Sequence, residues 1–285
     1  MSYVISGTAE NVVSRMPSPA IWNDCPAEAF DKNVNGRRYF NDFHQTVVGG
    51  STLVLGQPGG LTAFLESDAA GDLAIAANDE GHLQVIADGT DADVYAVTSG
   101  DNVGGVWKTP AAGAPHRLWF EARFKVSQVA DAHEAIYVGL CAPGEAKNAG
   151  GAFAASGASL SDVDYVGFAV LAGDGDALTA VYNEATSGTA QSNAAATLVA
   201  DTFVRVGFRV EFTRDAAVNG GGNAQVQFYV DGVALGDSKA VDISQANANW
   251  PGATDMDLLL SQVSAASAAD SETLTVDWVQ IAQEY

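Results

Sequence analysis

The chain has 285 residues, of which 47% are hydrophobic, and its 35 acidic and 13 basic residues give a formal net charge of −22. This composition is typical of a globular protein with a substantial core. The negative charge argues against nucleic acids and anionic membranes as partners, because both are bound mainly through lysine and arginine. No stretch approaches the ~20 apolar residues that span a bilayer, and the first residues lack the pattern of a secretion signal.

Residues 1–37 differ from the rest of the chain and predict an N-terminal arm. Prolines interrupt any long helix or central strand in this segment, at Pro17, Pro19 and Pro26. The side chains of Ile21, Trp22 and Phe30 are costly to leave in water. We therefore expect the arm to dock on its own domain or on a neighbouring molecule, while a disordered terminus is the open alternative.

From Tyr39 onward the apolar residues recur with a period of two, which indicates strands with one buried face. In residues 118–127 the apolar side chains alternate with outward-facing ones, namely Trp119, Glu121, Arg123 and Lys125. The same alternation marks residues 203–212, 224–232 and 272–283, and in the last segment it places Trp278 among the buried set. Further strands are expected over residues 39–47, 73–78, 82–88, 93–99, 135–142, 165–172, 177–184, 197–200 and 256–263.

Asp-Gly and Asn-Gly turns separate these segments and supply the positive φ angles of tight hairpins. Many antiparallel strands with regular turns predict an all-β fold, and strands of about ten residues favour a two-sheet β-sandwich. The sequence thus predicts an arm over residues 1–37 and one sandwich domain over residues 38–285. One sheet is expected to expose a polar outer face with Arg123, Lys125, Arg205 and Arg209.

Several of these segments resemble the concanavalin A-like (laminin G-like) jelly-roll superfamily, at residues 118–127, 135–145, 164–175, 203–212, 226–235 and 274–283. In that fold a strand near the start lies beside the last one, which implies that residues 41–47 pair with residues 274–283. Over residues 20–285 the chain also resembles a group of tailed-bacteriophage virion proteins, through AIWNDCP at 20–26, FNDF at 40–43 and DWVQIAQ at 277–283.

The virion resemblance implies a capsid decoration (cement) protein on the outer face of an icosahedral head, made in the host cytoplasm. A position on the tail is the open alternative. The implied partners are the major capsid protein and further copies of the chain, with a trimer suited to three-fold positions. The residues expected to form such interfaces are Trp22, Phe30, Trp119, Arg123 and Lys125.

The jelly-roll superfamily also includes glycanases and lectins, so the resemblance raises the question of catalytic and metal sites. Retaining glycosidases need two carboxylates about 5–5.5 Å apart, and the resemblance implies a Glu-x-Asp-x-x-Glu-like run. The nearest run, Glu66-Ser67-Asp68, lacks the second glutamate. Acidic turns at 88–93 and 174–176 and the four histidines show neither calcium nor zinc spacing. The sequence therefore predicts no enzymatic activity, no cofactor and no metal.

The alternative function is a carbohydrate-binding module on the virion that contacts host surface glycans. Aromatic rings stack on sugars, although they also fill cores. The candidates for such a platform are Trp119, Trp250 and Tyr229. Both cysteines, Cys25 and Cys141, are expected to stay reduced in a cytoplasmic product.

Overall fold

The computed structural model describes residues 16–32, 35–43, 62–66, 82–86, 94–99, 105–111, 116–129, 134–147, 152–154, 157–187, 191–213, 223–243, 249–264 and 272–285. Two short helices lie in the arm, α1 (Pro19–Trp22) and α2 (Ala27–Phe30). Two single-turn 3-10 helices lie at Glu145–Lys147 and Asp237–Lys239. The described strands are β1 (Gly36–Asn41), β2 (Thr62–Glu66), β3 (Leu83–Ile86), β4 (Val94–Thr98), β5 (Trp107–Lys108), β6 (Leu118–Val126), β7 (Glu134–Cys141), β8 (Tyr165–Val170), β9 (Ala177–Asn183), β10 (Gln191–Thr197), β11 (Val204–Thr213), β12 (Asn223–Val230), β13 (Val233–Ala234), β14 (Val241–Asp242), β15 (Asp255–Ser264) and β16 (Thr273–Glu284). None of the helices in these ranges is long and apolar enough to cross a membrane.

The strands form two antiparallel sheets, which confirms the predicted two-sheet sandwich. Sheet I has the order β1-β16-β6-β11-β12-β13, with β3 on β16 and β14 on β12. Sheet II has the order β10-β9-β8-β7-β15-β4-β2, with β5 on β15. Strand β1 pairs with β16 from Gly36 opposite Glu284 to Asn41 opposite Val279. An early strand thus lies beside the last one as expected, but it is formed by residues 36–41 instead of 41–47. Asp42 and Phe43 lie outside β1, and residues 44–47 lie outside the described residues.

The core lies between the sheets and is built by the alternation visible in the sequence. On β6 every second side chain from Leu118 to Val126 faces inward and is buried. The ring of Phe120 stacks on that of Phe208 at 5.1 Å, and Phe168 of sheet II meets Phe228 of sheet I edge-on at 5.8 Å. Aromatic contacts of this geometry add about 0.5–1.5 kcal/mol beyond the burial of area.

A β-bulge in β16 changes which residues of that strand face the core. The register with β6 shifts between Val276 and Trp278. Val276 faces the core, but beyond the bulge the inward-facing residues are Val279 and Ile281. Trp278 thus lies on the outer face of sheet I instead of in the core, because one extra residue reverses the alternation.

Segments of the chain cover the outer faces of both sheets. Arm residues 16–32 lie on sheet I, where Ile21, Phe30 and Trp119 form a small buried cluster. A segment between β7 and β8 lies on sheet II, where Phe153 contacts Tyr137 edge-on at 6.4 Å. The arm thus docks on its own domain in the described residues.

The predicted strands agree with the structure to within a few residues for β6, β7, β8, β9, β11, β12, β15 and β16. The expected strand at 197–200 is instead β10, which ends at Thr197. The strand expected at 73–78 lies outside the described residues.

Candidate functional site

The arm is held on sheet I by a buried carboxylate, that of Glu121 on β6. Glu121 accepts hydrogen bonds from the backbone N–H of Ser18 at 2.9 Å and from the indole Nε1–H of Trp22 at 2.6 Å. The Ser18 hydroxyl also donates to Glu121, so it makes no capping bond at the start of α1. Burial raises the pKa of Glu121, although the hydrogen bonds from Ser18 and Trp22 and the charge of Arg205 oppose this shift.

A second set of contacts ties the arm to β11. Arg209 donates to the side-chain oxygen of Asn23 at 2.8 Å and to Glu211 at 2.7 Å. The indole Nε1–H of Trp119 donates to Asp24 at 3.0 Å. The bonds from Arg209 to Asn23 and from Trp119 to Asp24 link the arm to β11 and β6, and they place Asn23 and Asp24 in one geometry.

The apolar contacts of the arm depend on a glycine in β11. A Cβ at Gly207 would lie 2.6 Å from Cδ1 of Ile21, so the absence of a side chain creates the seat for Ile21. Phe30 packs against Trp119 with ring centroids 6.0 Å apart. The alternation in β6 correctly placed Trp119 on the outer face, but the arm buries it completely.

The part of the same sheet face that the arm does not cover carries an ion-pair cluster, and its residues are buried by other side chains. Arg123 of β6 pairs with Asp277, the extra residue of the β16 bulge. His82 Nε2 lies 3.1 Å from the other Asp277 oxygen. The guanidinium of Arg123 lies 3.9 Å from the ring centroid of Phe203, and Lys125 lies 5.3 Å from it. Desolvation of these ions is costly, so their mutual pairing is needed to keep them in this geometry.

The five expected interface residues all lie on this outer face or on the arm that covers it. Phe30, Trp119 and Arg123 are buried in contacts within the chain, because arm, bulge and Phe203 pack over them. Trp22 is half-buried against Glu121, and Lys125 is half-buried with its Nζ 3.8 Å from Asp201. Only these last two present a partly exposed side chain to another molecule.

The aromatic candidates for a sugar platform are not exposed. Trp119, Trp250 and Tyr229 are 0%, 3% and 4% exposed, and Trp250 donates its indole N–H to the Pro110 carbonyl at 2.9 Å. Among the described residues of sheet I, Phe40 has an exposed ring, with 45% of the residue exposed. It lies 6.4 Å from the Trp278 ring.

Around Phe40 the outer face carries polar groups on neighbouring positions. Arg38 lies 3.5 Å from Asp31 of the arm. With its amide oriented to accept, the Gln280 side-chain oxygen lies 3.2 Å from Arg38 Nε. An exposed ring beside amide and guanidinium groups is a combination that suits a sugar. This combination was not predicted from the sequence, because Phe40 belongs to a short apolar pair.

The remaining expectations concern acidic turns and histidines. Asp174 and Asp176 are exposed in the turn before β9, whereas residues 67–81 and 87–93 lie outside the described residues, as do His44 and His133. In the ranges that the structure covers, no group of three metal-ligating side chains converges. His82 is buried beside Asp277, and the His116 ring lies 2.7 Å from the Lys108 carbonyl.

Comparisons with known proteins identify the fold. No protein-family model matches the chain, and no curated protein sequence matches it. Among solved structures, a non-specific endo-β-1,3(4)-glucanase of glycoside hydrolase family 16 matches with a TM-score of 0.51 and 11% identity, over 88% of this chain and 92% of that one. The laminarinase catalytic domain of Thermotoga maritima also gives 0.51, with 10% identity over 87% and 97%.

A protein of unknown function from Shewanella oneidensis matches with 10% identity and a TM-score of 0.44. The match covers 100% of this chain and 96% of that one. At these identities a likeness shows the fold alone. The predicted concanavalin A-like jelly-roll sandwich is confirmed by the two glucanase folds.

These comparisons correct one expectation of the sequence analysis. The absence of a Glu-x-Asp-x-x-Glu-like run led to the prediction that the chain is not an enzyme. Both neighbours with a TM-score of 0.51 are glycan hydrolases, so the fold is one that carries enzymes. The prediction was wrong to treat a missing local run as sufficient, because carboxylates from different strands also meet on a sheet.

Proposed function

We propose that the chain is a structural protein of a tailed-bacteriophage virion, bound to the outer face of the head as a decoration protein. The observation that carries this proposal is the packing of the chain on its own sheet faces. Arm residues lock onto sheet I through Glu121, and the Phe153 segment packs on sheet II. These contacts use part of both broad faces for internal packing, and they leave edges, turns and the outer side of the arm for a partner.

The sequence supports the same proposal in two ways. The segments at 20–26, 40–43 and 277–283 resemble tailed-phage virion proteins, and they map onto the arm, β1 and β16. The charge of −22 keeps many copies soluble when they are crowded on one surface. On a symmetric shell each copy needs only a modest interface, since binding at several sites raises the overall affinity.

The proposed contact surface is the outer side of the arm, with the major capsid protein as partner. Trp22 is half-buried and Lys32 is exposed at the end of the arm. A shallow groove of about 630 Å³ runs along α2, lined by Cys25, Pro26, Ala27, Glu28, Ala29 and Lys32. A trimer at three-fold positions would present three such arms to the shell.

The test is the addition of purified protein to particles that lack it, followed by cryo-electron microscopy. We expect density with the outline of the sandwich on the outer face of the head. A Trp22→Ala variant should bind at least tenfold more weakly, while Phe40→Ala, on another part of the surface, should bind normally. The proposal is contradicted if the protein is absent from purified particles. It is also contradicted if Trp22→Ala and Phe40→Ala bind equally well and the bound position is not on the capsid.

A second candidate function is glycan binding at Phe40. The exposed ring, the Trp278 ring behind it and the Arg38–Gln280 pair favour this candidate, and the fold is shared with β-glucan hydrolases. A glycan array should show binding that Phe40→Ala abolishes. The matched control is Val199→Ala, which truncates another exposed apolar side chain. Binding that survives Phe40→Ala, or no binding to any glycan, removes this candidate.

A further inference from the structure

Arg37 lies at one end of the sandwich, where β1, β5 and β16 meet. Its guanidinium carbon is 4.7 Å from the ring centroid of Trp107 and 5.8 Å from that of Tyr285. One of its nitrogens donates to the side-chain oxygen of Gln283 at 3.2 Å. Side chains of β5, of β16 and of the residue after β16 thus surround one cation, and we call this cluster the Arg37 pocket.

Two hydrogen-bond donors in the Arg37 pocket find no acceptor among the residues that the structure describes. Trp107 is 3% exposed and its indole Nε1 is buried without a partner. The Nε of Arg37 is also buried without a partner. Leaving a buried donor unsatisfied costs about 1–3 kcal/mol, and more for a charged group. Both costs fall on the same stacked pair.

The charge of Arg37 is not matched by a contacting acid. Among the described residues no side-chain carboxylate forms an ion pair with it, and the groups that favour its charged form are Tyr285 and, to a smaller extent, Asp255. Burial lowers the pKa of Arg37. A half-buried guanidinium with free N–H groups is a typical partner for a carboxylate, whose two oxygens match its planar geometry.

The other polar groups of the pocket are already engaged and fix its wall. The Gln283 side-chain oxygen also accepts from the backbone N–H of Lys108 at 3.0 Å, and its nitrogen lies 3.2 Å from His116 Nε2. Lys108 is exposed and directly follows Trp107 in β5. Tyr285 is 75% exposed, so its ring forms the wall that solvent reaches.

We propose that the Arg37 pocket is a binding site for the carboxylate group of a small ligand, with Arg37 Nε and Trp107 Nε1 as the two donors to its oxygens. The ligand reaches them when the exposed Tyr285 ring swings outward. A simple carboxylic acid and an acidic sugar such as a uronic acid share the required group. The site uses neither arm residues 16–32 nor the Phe40 ring, so it stands independently of the proposed function.

The experiment is a titration of the full chain followed by the indole ¹⁵N–¹H signals of its tryptophans. Sodium acetate and sodium glucuronate are added separately, with sodium chloride at equal ionic strength as the salt control and glucose as the uncharged sugar. The signal of Trp107 is assigned as the one missing in Trp107→Phe. We expect a saturable shift of this signal with acetate or glucuronate, and none with chloride or glucose.

Variants distinguish the site from a general effect of charge. Arg37→Gln should weaken binding at least tenfold, and Arg37→Lys serves if the glutamine variant does not fold. Lys239→Gln, which removes a surface positive charge whose Nζ donates to the Ala194 carbonyl, should bind as the wild type does. Binding of both acids identifies the carboxylate as the recognised group, and binding of glucuronate alone adds the sugar ring to it.

Three results overturn the proposal. The first is a Trp107 signal that moves no more with carboxylates than with chloride, which would mean that an ordered water satisfies both donors. The second is equal loss of binding in Arg37→Gln and Lys239→Gln. The third is binding of glucose as tight as that of glucuronate.

Discussion

The indole N–H of Trp22 donates to the Glu121 carboxylate at 2.6 Å, which joins the arm to the centre of sheet I. Glu121 lies opposite Gly207 on the neighbouring strand. The carboxylate therefore binds α1 from one side while Gly207 leaves space for Ile21 beside it. A single outward-facing residue of β6 thus decides where the arm lies on the sheet.

Replacement of Glu121 by alanine should release the arm. Three donor groups, two on Ser18 and one on Trp22, lose their acceptor, at an expected cost of about 2–4 kcal/mol in the free energy of unfolding. Hydrogen exchange should then increase across residues 16–32. Glu28→Ala, at an exposed acid of the arm, is the control and should leave exchange unchanged. Unchanged protection in Glu121→Ala would show that the apolar contacts alone hold the arm.

Docking of the arm should depend on pH through the same carboxylate. Burial raises the pKa of Glu121 above its ordinary value of 4.5, so docking takes up a proton. The stability of the docked state should therefore fall as pH rises from about 4.5 through the raised pKa, and stay constant above it. The indole signal of Trp22 should titrate with a midpoint above 4.5, and in Glu121→Gln this titration should disappear. A midpoint at or below 4.5 contradicts the expectation.

The ion pair at the bulge should be far more sensitive than one at the surface. Asp277→Asn removes the charge that faces Arg123 and His82 in a buried setting, and we expect a loss of about 3–5 kcal/mol. Asp31→Asn breaks the exposed contact with Arg38 and should cost at most about 1 kcal/mol. Urea unfolding of both variants measures the difference. Equal losses would mean that the bulge cluster contributes no more than a surface pair.

A methyl group at position 207 should disturb both sheet and arm. In Gly207→Ala the new Cβ would lie 2.6 Å from both Ile21 Cδ1 and the Phe120 carbonyl oxygen. Overpacking of this kind costs about 1–3 kcal/mol. Gly252→Ala, where the nearest atom is 3.7 Å away, is the matched control. Thermal unfolding should separate the two variants clearly, and similar melting temperatures would contradict the assigned contact.

The two thiols should resist alkylation in the folded chain. Both cysteines are free, burial raises the pKa of Cys25 to about 12, and it raises the pKa of the fully buried Cys141 further. Little thiolate therefore exists at pH 8. Mass spectrometry after iodoacetamide treatment should find Cys25 modified faster in Glu121→Ala than in the wild type, with Cys141 unmodified in both. Faster reaction of Cys141 would indicate opening of sheet II instead of the arm.

The sandwich was predictable because its central strands alternate strictly. In β6 from its middle onward, and in β11, the charged residues stand at alternate positions and share one face, so the buried face is unambiguous. Strand β10 was missed because its sequence, QSNAAAT, has no apolar alternation. It lies at the edge of sheet II, where pairing on one side is enough to form a strand.

The site was only partly predictable, because two of its features depend on distant or local packing. Trp119 occupies an outward position, and nothing near it in the sequence shows that residues 18–30 cover it. The bulge was hidden because Val276, Trp278 and Val279 are all apolar, so either phase fits the pattern. The orphan donors of Trp107 and Arg37 exist only once three strands meet.

The position of β16 has a consequence for how the protein is made. This strand pairs with β1, β3 and β6, although residues 273–284 are translated long after those three. Residues 273–284 must therefore be synthesised before sheet I is able to close, and contacts of such long sequence separation form slowly. Until β16 is made, the strand edges that it covers in the folded protein stay unpaired, and chaperones are able to bind them.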